Sequence, residues 1–187
     1  GGGSASAGTI ATAGVIGGDS VGDSIDGFRF PSTYIPKGAT ILQANLIFTA
    51  YPDIDNGDVS VRIHGVAQKD PPMLTTSNNY DLTESWSTKT TKSVDWTLSL
   101  WEAEKLYSSA DLKDIVQEIV DSSNWEGSGA DAIALRAQRT PAISSYSTTA
   151  DKTTAKIGRR FYTYTEDSTK AVRLYVRYKS PSSSSTG

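Results

Sequence analysis

Residues 39–51 alternate between apolar and polar. Leu42, Ala44, Leu46, Phe48 and Ala50 fall on one side of an extended chain, and Gln43, Asn45 and Thr49 on the other, the period of two that marks a half-buried strand. The pattern returns at 59–64, with Val59, Val61 and Ile63 inward against Ser60, Arg62 and His64 outward. Between them, Asp53-Ile-Asp-Asn-Gly-Asp58 contains Asn56-Gly57, the pair that supplies the positive φ angles of a tight turn, so the two strands are expected to form a hairpin. Further strands are predicted at 93–98 (Val94, Trp96, Leu98), at 131–137 (Ile133, Leu135) and at 171–178, where Val172, Leu174 and Val176 oppose Arg173, Tyr175 and Arg177. Two more, 9–16 and 25–30, flank a Gly/Asp turn.

One segment changes period. Leu112, Ile115, Val116, Ile119 and Val120 recur at spacings of three and four, which predicts a short amphipathic helix over about residues 110–121. Ser109 or Asp111 is placed to cap it, and Asp114 puts negative charge in its first turn. A helix this short is marginal alone and has to be held by packing its apolar stripe onto the rest of the molecule. The expected architecture is all-β, a jelly-roll-like antiparallel β-sandwich closed at one end by that helix. Residues 1–8 and 180–187, rich in Gly and Ser, read as flexible joints around a single domain over 9–179.

Composition narrows the function classes. The net charge is −3 with both signs interspersed, so no basic stripe offers itself to nucleic acid and no polybasic segment to anionic lipid. There is no cysteine, which excludes disulfides, thiolate metal sites and thiol nucleophiles. No run of about 18 apolar residues predicts membrane insertion. The missing initial Met reads as a fragment or processed form. Abundant Ser, Thr and Gly suit an extracellular or particle-surface β-protein.

Three ordered blocks carry a resemblance. Phe28-Arg-Phe with Ile35-Pro-Lys-Gly-Ala-Thr-Ile-Leu-Gln-Ala-Asn-Leu-Ile-Phe-Thr-Ala50 and Val59-Ser-Val-Arg-Ile-His-Gly-Val66 come first, then Asp111-Leu-Lys-Asp-Ile-Val-Gln-Glu-Ile-Val-Asp121 through Trp125 to Leu135, then Ala171-Val-Arg-Leu-Tyr-Val-Arg-Tyr178. Together they resemble the DNRLRE-type β-sandwich modules over most of residues 25–178. The polar stretch 138–158 is longer and richer in Ser and Thr than that pattern. The resemblance implies a jelly-roll-like sandwich with a non-catalytic role. It points to a structural or adhesive module of a surface assembly, such as a bacteriophage head fibre, decoration or tail appendage. The alternative is a carbohydrate-binding module of a secreted or cell-surface protein. The expected partners are copies of the chain itself, other virion or surface proteins, and cell-surface glycan; the expected location is a virion surface or extracellular.

Candidate chemistry is sparse. His64 is the only histidine, so a Ser/His/Asp triad would have to use it, and its mid-strand place beside Arg62 favours an ordinary surface side chain. Glu102 with Glu104, and Asp19, Asp23 and Asp26, could serve as paired carboxylates in glycoside chemistry, but carboxylates at this density are ordinary surface charge. No enzyme is expected. Calcium is the one cofactor the residues suggest, on Asp53, Asp55 and Asp58, with a plain hairpin turn as the simpler account. For stacking on sugar rings the candidates are Trp86, Trp101 and Tyr107. Trp96 is expected in the core and Trp125 as an end plug, while Tyr162, Tyr164, Tyr175 and Tyr178 could line a sheet face. An unpaired strand at 9–16 could add to a neighbour's sheet.

Overall fold

A computed structural model describes residues 2–6, 14–17, 25–52, 59–71, 88–140 and 158–181. Alternation builds most of it: β1 (Gly2–Ser6), β2 (Gly14–Ile16), β3 (Ile25–Thr33), β4 (Thr40–Thr49), β5 (Val59–Val66), β6 (Lys89–Leu98) and β7 (Leu106–Ser108) precede helix α1 (Lys113–Val120), and β8 (Asp131–Arg139), β9 (Arg159–Phe161) and β10 (Arg173–Lys179) follow it. Sheet A runs β1-β10-β4-β7 and sheet B runs β3-β8-β5-β6, with β2 and β9 pairing apart. Every pairing is antiparallel. Setting β2 and β9 aside, the first strand pairs with the last, the second with the second last, and so inward to β5 and β6. The chain is one long hairpin rolled into two sheets, a jelly-roll β-sandwich. Among the described residues no helix is long and apolar enough to cross a membrane.

The rolling overturns one local expectation. β4 lies in sheet A and β5 in sheet B, so they are consecutive but not paired, and the connection between them crosses from one layer to the other. Asn56-Gly57 lies outside the described residues. A turn signal specifies a reversal of direction, whereas the partner of each strand is decided by the core that both sheets must enclose.

That core collects Ala44, Leu46 and Phe48 of β4, Leu174 and Val176 of β10, Phe28 and Phe30 of β3, Val59, Val61 and Ile63 of β5, and Ile133, Leu135 and Ala137 of β8. Phe48 is its aromatic hub, with ring centroids 5.6 Å from Phe28, 5.2 Å from Phe161, 5.7 Å from Trp96 and 5.5 Å from Trp101. Leu42 departs from its expected inward place and is 44% exposed. The reason is a register shift: Arg177 lies opposite Gln43 but Tyr178 opposite Ile41, so Leu42 is the extra residue of a bulge and Ile41 turns inward instead. Gly2–Ser6, expected to be a loose joint, is instead the outer strand of sheet A, paired along β10; small residues do not prevent a backbone ladder. The predicted strand 9–16 is described only from Gly14, and that part is paired with β9 rather than free. At the other end Ser180 and Pro181 are described, and residues 182–187 lie outside.

Helix α1 is shorter than expected, and its N-cap is Leu112, with no side-chain cap. Asp111 still takes up the first helical amide, accepting from Lys113 N at 3.1 Å, and accepts from Ala44 N of β4 at 2.9 Å. Ser109 is committed to β4, its Oγ accepting from Leu46 N at 3.0 Å. Leu112, Ile115, Val116, Ile119 and Val120 are all buried. Two adjacent polar residues then fasten the helix to both layers. Gln117 Oε1 accepts from Ile41 N at 2.7 Å and its Nε2 donates to Ala39 O at 3.1 Å, at the start of β4. Glu118 accepts from Thr91 N at 2.7 Å, from Lys92 N at 2.9 Å and from the Thr91 hydroxyl at 3.0 Å, on β6. Burial pushes the Glu118 carboxyl up, but the hydrogen bonds from Thr91 and Lys92 outweigh it and hold the group below its ordinary 4.5. Trp125 closes the same end, fully buried, with Nε1 donating to Ile35 O at 2.9 Å.

Gly65 is what lets the helix approach. A Cβ there would lie 2.8 Å from Ile115 Cγ2, 2.8 Å from Ile119 Cδ1 and 2.9 Å from Thr90 Cγ2. Three converging neighbours cannot all retreat, so Gly65→Ala is expected to destabilise the protein by about 1–3 kcal/mol in chemical denaturation, the usual cost of overpacking; a change under about 0.5 kcal/mol would contradict this packing. Because the folded carboxyl of Glu118 titrates below the unfolded one, its contribution is complete above the ordinary carboxylate range and is lost as pH falls through the depressed value. Glu118→Gln is therefore expected to lower the melting temperature near neutral pH and to flatten its decline between about pH 5 and 3. Parallel melting curves for the two proteins across that window would show that the carboxylate carries nothing.

Candidate functional site

Of the residues singled out for sugar stacking, Trp86 lies outside the described residues, and so do Asp53, Asp55 and Asp58 of the calcium candidate. Trp101 is 5% exposed. Tyr107 stacks on it at 4.9 Å and 9° between planes, and Phe48 and Trp96 lie at 5.5 and 6.3 Å. Its ring is part of the core and leaves no open face for a sugar; Tyr107 is half-buried with it, its hydroxyl accepting from Glu102 N at 2.7 Å. The alternation around β7 turns Tyr107 inward, opposite Phe48, which explains the pairing. Trp96 packs against the core as expected.

His64 is buried, at 9% exposure, contrary to its expected solvent-facing place. β6 has extra residues between Lys89, opposite Val66, and Ser93, opposite His64, and the Thr90 and Lys92 backbone of that bulge hydrogen-bonds the imidazole. Burial, then the positive charge of Lys89 and of Arg62, pushes His64 below its ordinary 6.5. A catalytic histidine needs a carboxylate to orient it and steady its imidazolium. Here the nearby Asp95 is engaged by Arg62 at 2.7 and 2.9 Å, and the charges that act on His64 among the described residues include the cations Lys89 and Arg62.

Glu104 belongs to a different cluster. It accepts from the Tyr162 hydroxyl and from Lys170 Nζ, the latter at 2.6 Å; Lys170 lies 4.5 Å from the centre of the Tyr162 ring, and Tyr51 meets that ring edge-on at 5.0 Å. Glu104 holds a left-handed φ of 64°, stabilised by its N–H donating to Ala50 O at 2.9 Å. Lys170, and then the Tyr162 hydroxyl, keep the Glu104 carboxyl below its ordinary 4.5, while Glu104 raises Tyr162 above its ordinary 10.0. A general acid needs a raised carboxyl and a nucleophilic phenol a lowered hydroxyl. Both shifts run the other way, so the cluster is fitted to tie the loop after Trp101 to the loop between β9 and β10. Glu102 is exposed on that loop, and of the three candidate aspartates only Asp26 lies among the described residues, accepting from Gly17 N at 3.4 Å.

A cleft of about 640 Å³ opens beside the end of α1, between Lys37, Gln68, Lys69, Ser123, Asn124 and Glu126. Its charges are also spent: Lys69 pairs with Glu126 and Lys37 donates to Ser123 O at 2.9 Å. Among the described residues no three His, Asp or Glu side chains gather as a metal site would require.

The outer face of sheet A is different. On β10, Arg173, Tyr175, Arg177 and Lys179 are all exposed, Tyr175 at 40%, and they lie opposite Ile47, Asn45, Gln43 and Thr40 of β4. Gln43 Nε2 donates to Asn45 Oδ1 at 2.9 Å and Asn45 Nδ2 to Ser109 O at 2.9 Å, which fixes both amides. β7 continues the face with Leu106 and Ser108. Among the described residues no Asp or Glu stands on this face of β4, β7 or β10. Arg173 donates to Thr169 O at 2.7 Å; neither Arg177 nor Lys179 forms an ion pair with a described residue. The signal was present in the sequence as the polar half of the 171–178 alternation, and its meaning depended on knowing what stood opposite. No protein-family model matches this chain, and no curated protein matches it.

Proposed function

We propose that this chain is a non-catalytic structural or adhesive module of a surface assembly, of the kind a bacteriophage virion displays as a head fibre, decoration or tail appendage. The observation that carries the reading is how the polar side chains are spent. The described groups around His64 and Glu104 lack the charge arrangement that acid–base chemistry needs, whereas on the outer face of sheet A neither Arg177 nor Lys179 forms an ion pair with a described residue. Such a surface is built for contact. Jelly rolls serve in both viral capsids and lectins, an analogy at the level of the fold alone, and the resemblance to DNRLRE-type modules points the same way. The second reading, a carbohydrate-binding module of a secreted or cell-surface protein, is favoured by one specific observation: Tyr175 stands exposed at the centre of that face between two arginines.

Assembly and an appended binding role separate by stoichiometry, because closed oligomers repeat one interface. Light scattering after size-exclusion chromatography of the full chain is expected to give a discrete trimer or larger species. A monomer over the accessible concentration range would reject the assembly reading and leave the binding-module reading in its place.

A further inference from the structure

We infer that the outer face of sheet A binds an anionic polysaccharide, one that carries carboxylate or sulfate groups along an extended chain. The inference rests on the contact role proposed above and names the partner. Arg173, Arg177 and Lys179 occupy alternate positions of a single strand with Tyr175 among them, so the two arginines lie about 13 Å apart along β10. That separation is too wide for one small anion to bridge and suits charges spread along a polymer. A guanidinium meets a carboxylate or sulfate with two parallel hydrogen bonds. The exposed ring of Tyr175 offers a flat apolar surface to a pyranose and its hydroxyl a polar handle; across the strand the half-buried Gln43 lies opposite Arg177, held by Asn45, which is itself buried.

Charge complementarity selects this occupant. The whole chain carries −3, yet among the described residues the strands β4, β7 and β10 put Arg173, Arg177 and Lys179 on this face and no Asp or Glu, the exposed Asp111 lying beside β4 at Ala44. A nucleic-acid strand is a polyanion of comparable charge density to polygalacturonate, so it is the competing occupant that the test sets beside the polysaccharides. An acidic polypeptide could pair with the arginines but would make no use of the tyrosine ring.

The test measures binding of the full-length chain to polygalacturonate and to dextran sulfate at low ionic strength, with neutral dextran, poly-L-glutamate and single-stranded DNA beside them. Binding to at least one of the charged polysaccharides and not to neutral dextran is expected. It should weaken about tenfold or more in the Arg173→Ala, Arg177→Ala double variant, and weaken in Tyr175→Ala while persisting in Tyr175→Phe, all with unchanged melting temperature. No binding to either charged polysaccharide overturns the inference. Equal binding of poly-L-glutamate that ignores Tyr175→Ala also overturns it, and assigns the face to an acidic polypeptide; tighter binding of single-stranded DNA than of either charged polysaccharide overturns it too, and assigns the face to nucleic acid. A protein that forms its oligomer but ignores both polyanions loses this partner and keeps the contact role, so the two failures are distinguishable.

Discussion

Two neighbouring side chains of one short helix hold the two layers of the sandwich in register. Gln117 hydrogen-bonds the backbone where β4 begins in sheet A, and Glu118 hydrogen-bonds the backbone of the β6 bulge in sheet B. Below them, five apolar residues of the helix segment fill the end of the core. Eight helical residues cannot supply their own stability, so helix and sandwich are mutually dependent: the helix is ordered by the apolar end it closes, and that end is kept dry by the helix. Gly65 makes the approach close enough, and Trp125 seals the turn that follows.

The same fastening shapes the surface. Glu118 occupies backbone N–H groups of Thr91 and Lys92 on β6, the last strand of sheet B, which is a way of blunting an edge that would otherwise invite strand addition. At sheet A the pairing of β1 with β10 brings the Arg173, Tyr175 and Arg177 row away from the rim and onto the sheet face, with β4 on its other side. Side chains carried on a paired strand lose less entropy on binding than those on a loop, which favours this face as a contact surface. Loops elsewhere are held by pairs such as Glu104 with Lys170, where exposed charges add little to global stability but set local shape.

Much of this architecture was legible because periodicity reports burial directly. Val59, Val61, Ile63, Val172, Leu174 and Val176 lie inward as their alternation indicates, and Ile115, Val116, Ile119 and Val120 mark the helix by their spacing. What periodicity does not report is the partner. The Asn56-Gly57 pair signals a hairpin, whereas β4 and β5 lie in different sheets, and the bulge at Leu42 shifts the pattern by one residue without any local signal. The site was less legible for a related reason. The segments around His64 and Trp101 carry no sign of their burial, which comes from the β6 bulge and from Tyr107 and Phe48, all brought there by tertiary contacts. The Arg173, Tyr175 and Arg177 row was visible as the polar half of a strand, and only the sheet shows that no carboxylate among the described residues opposes it.

If the helix joins the layers, sheets A and B open together. Native-state hydrogen exchange tests this directly by comparing the amides of β4 and β10 with those of β5 and β8. A single opening free energy shared by both sets is the result this account predicts. Opening of one sheet at a free energy lower by more than about 1 kcal/mol, with the other still protected, would contradict it.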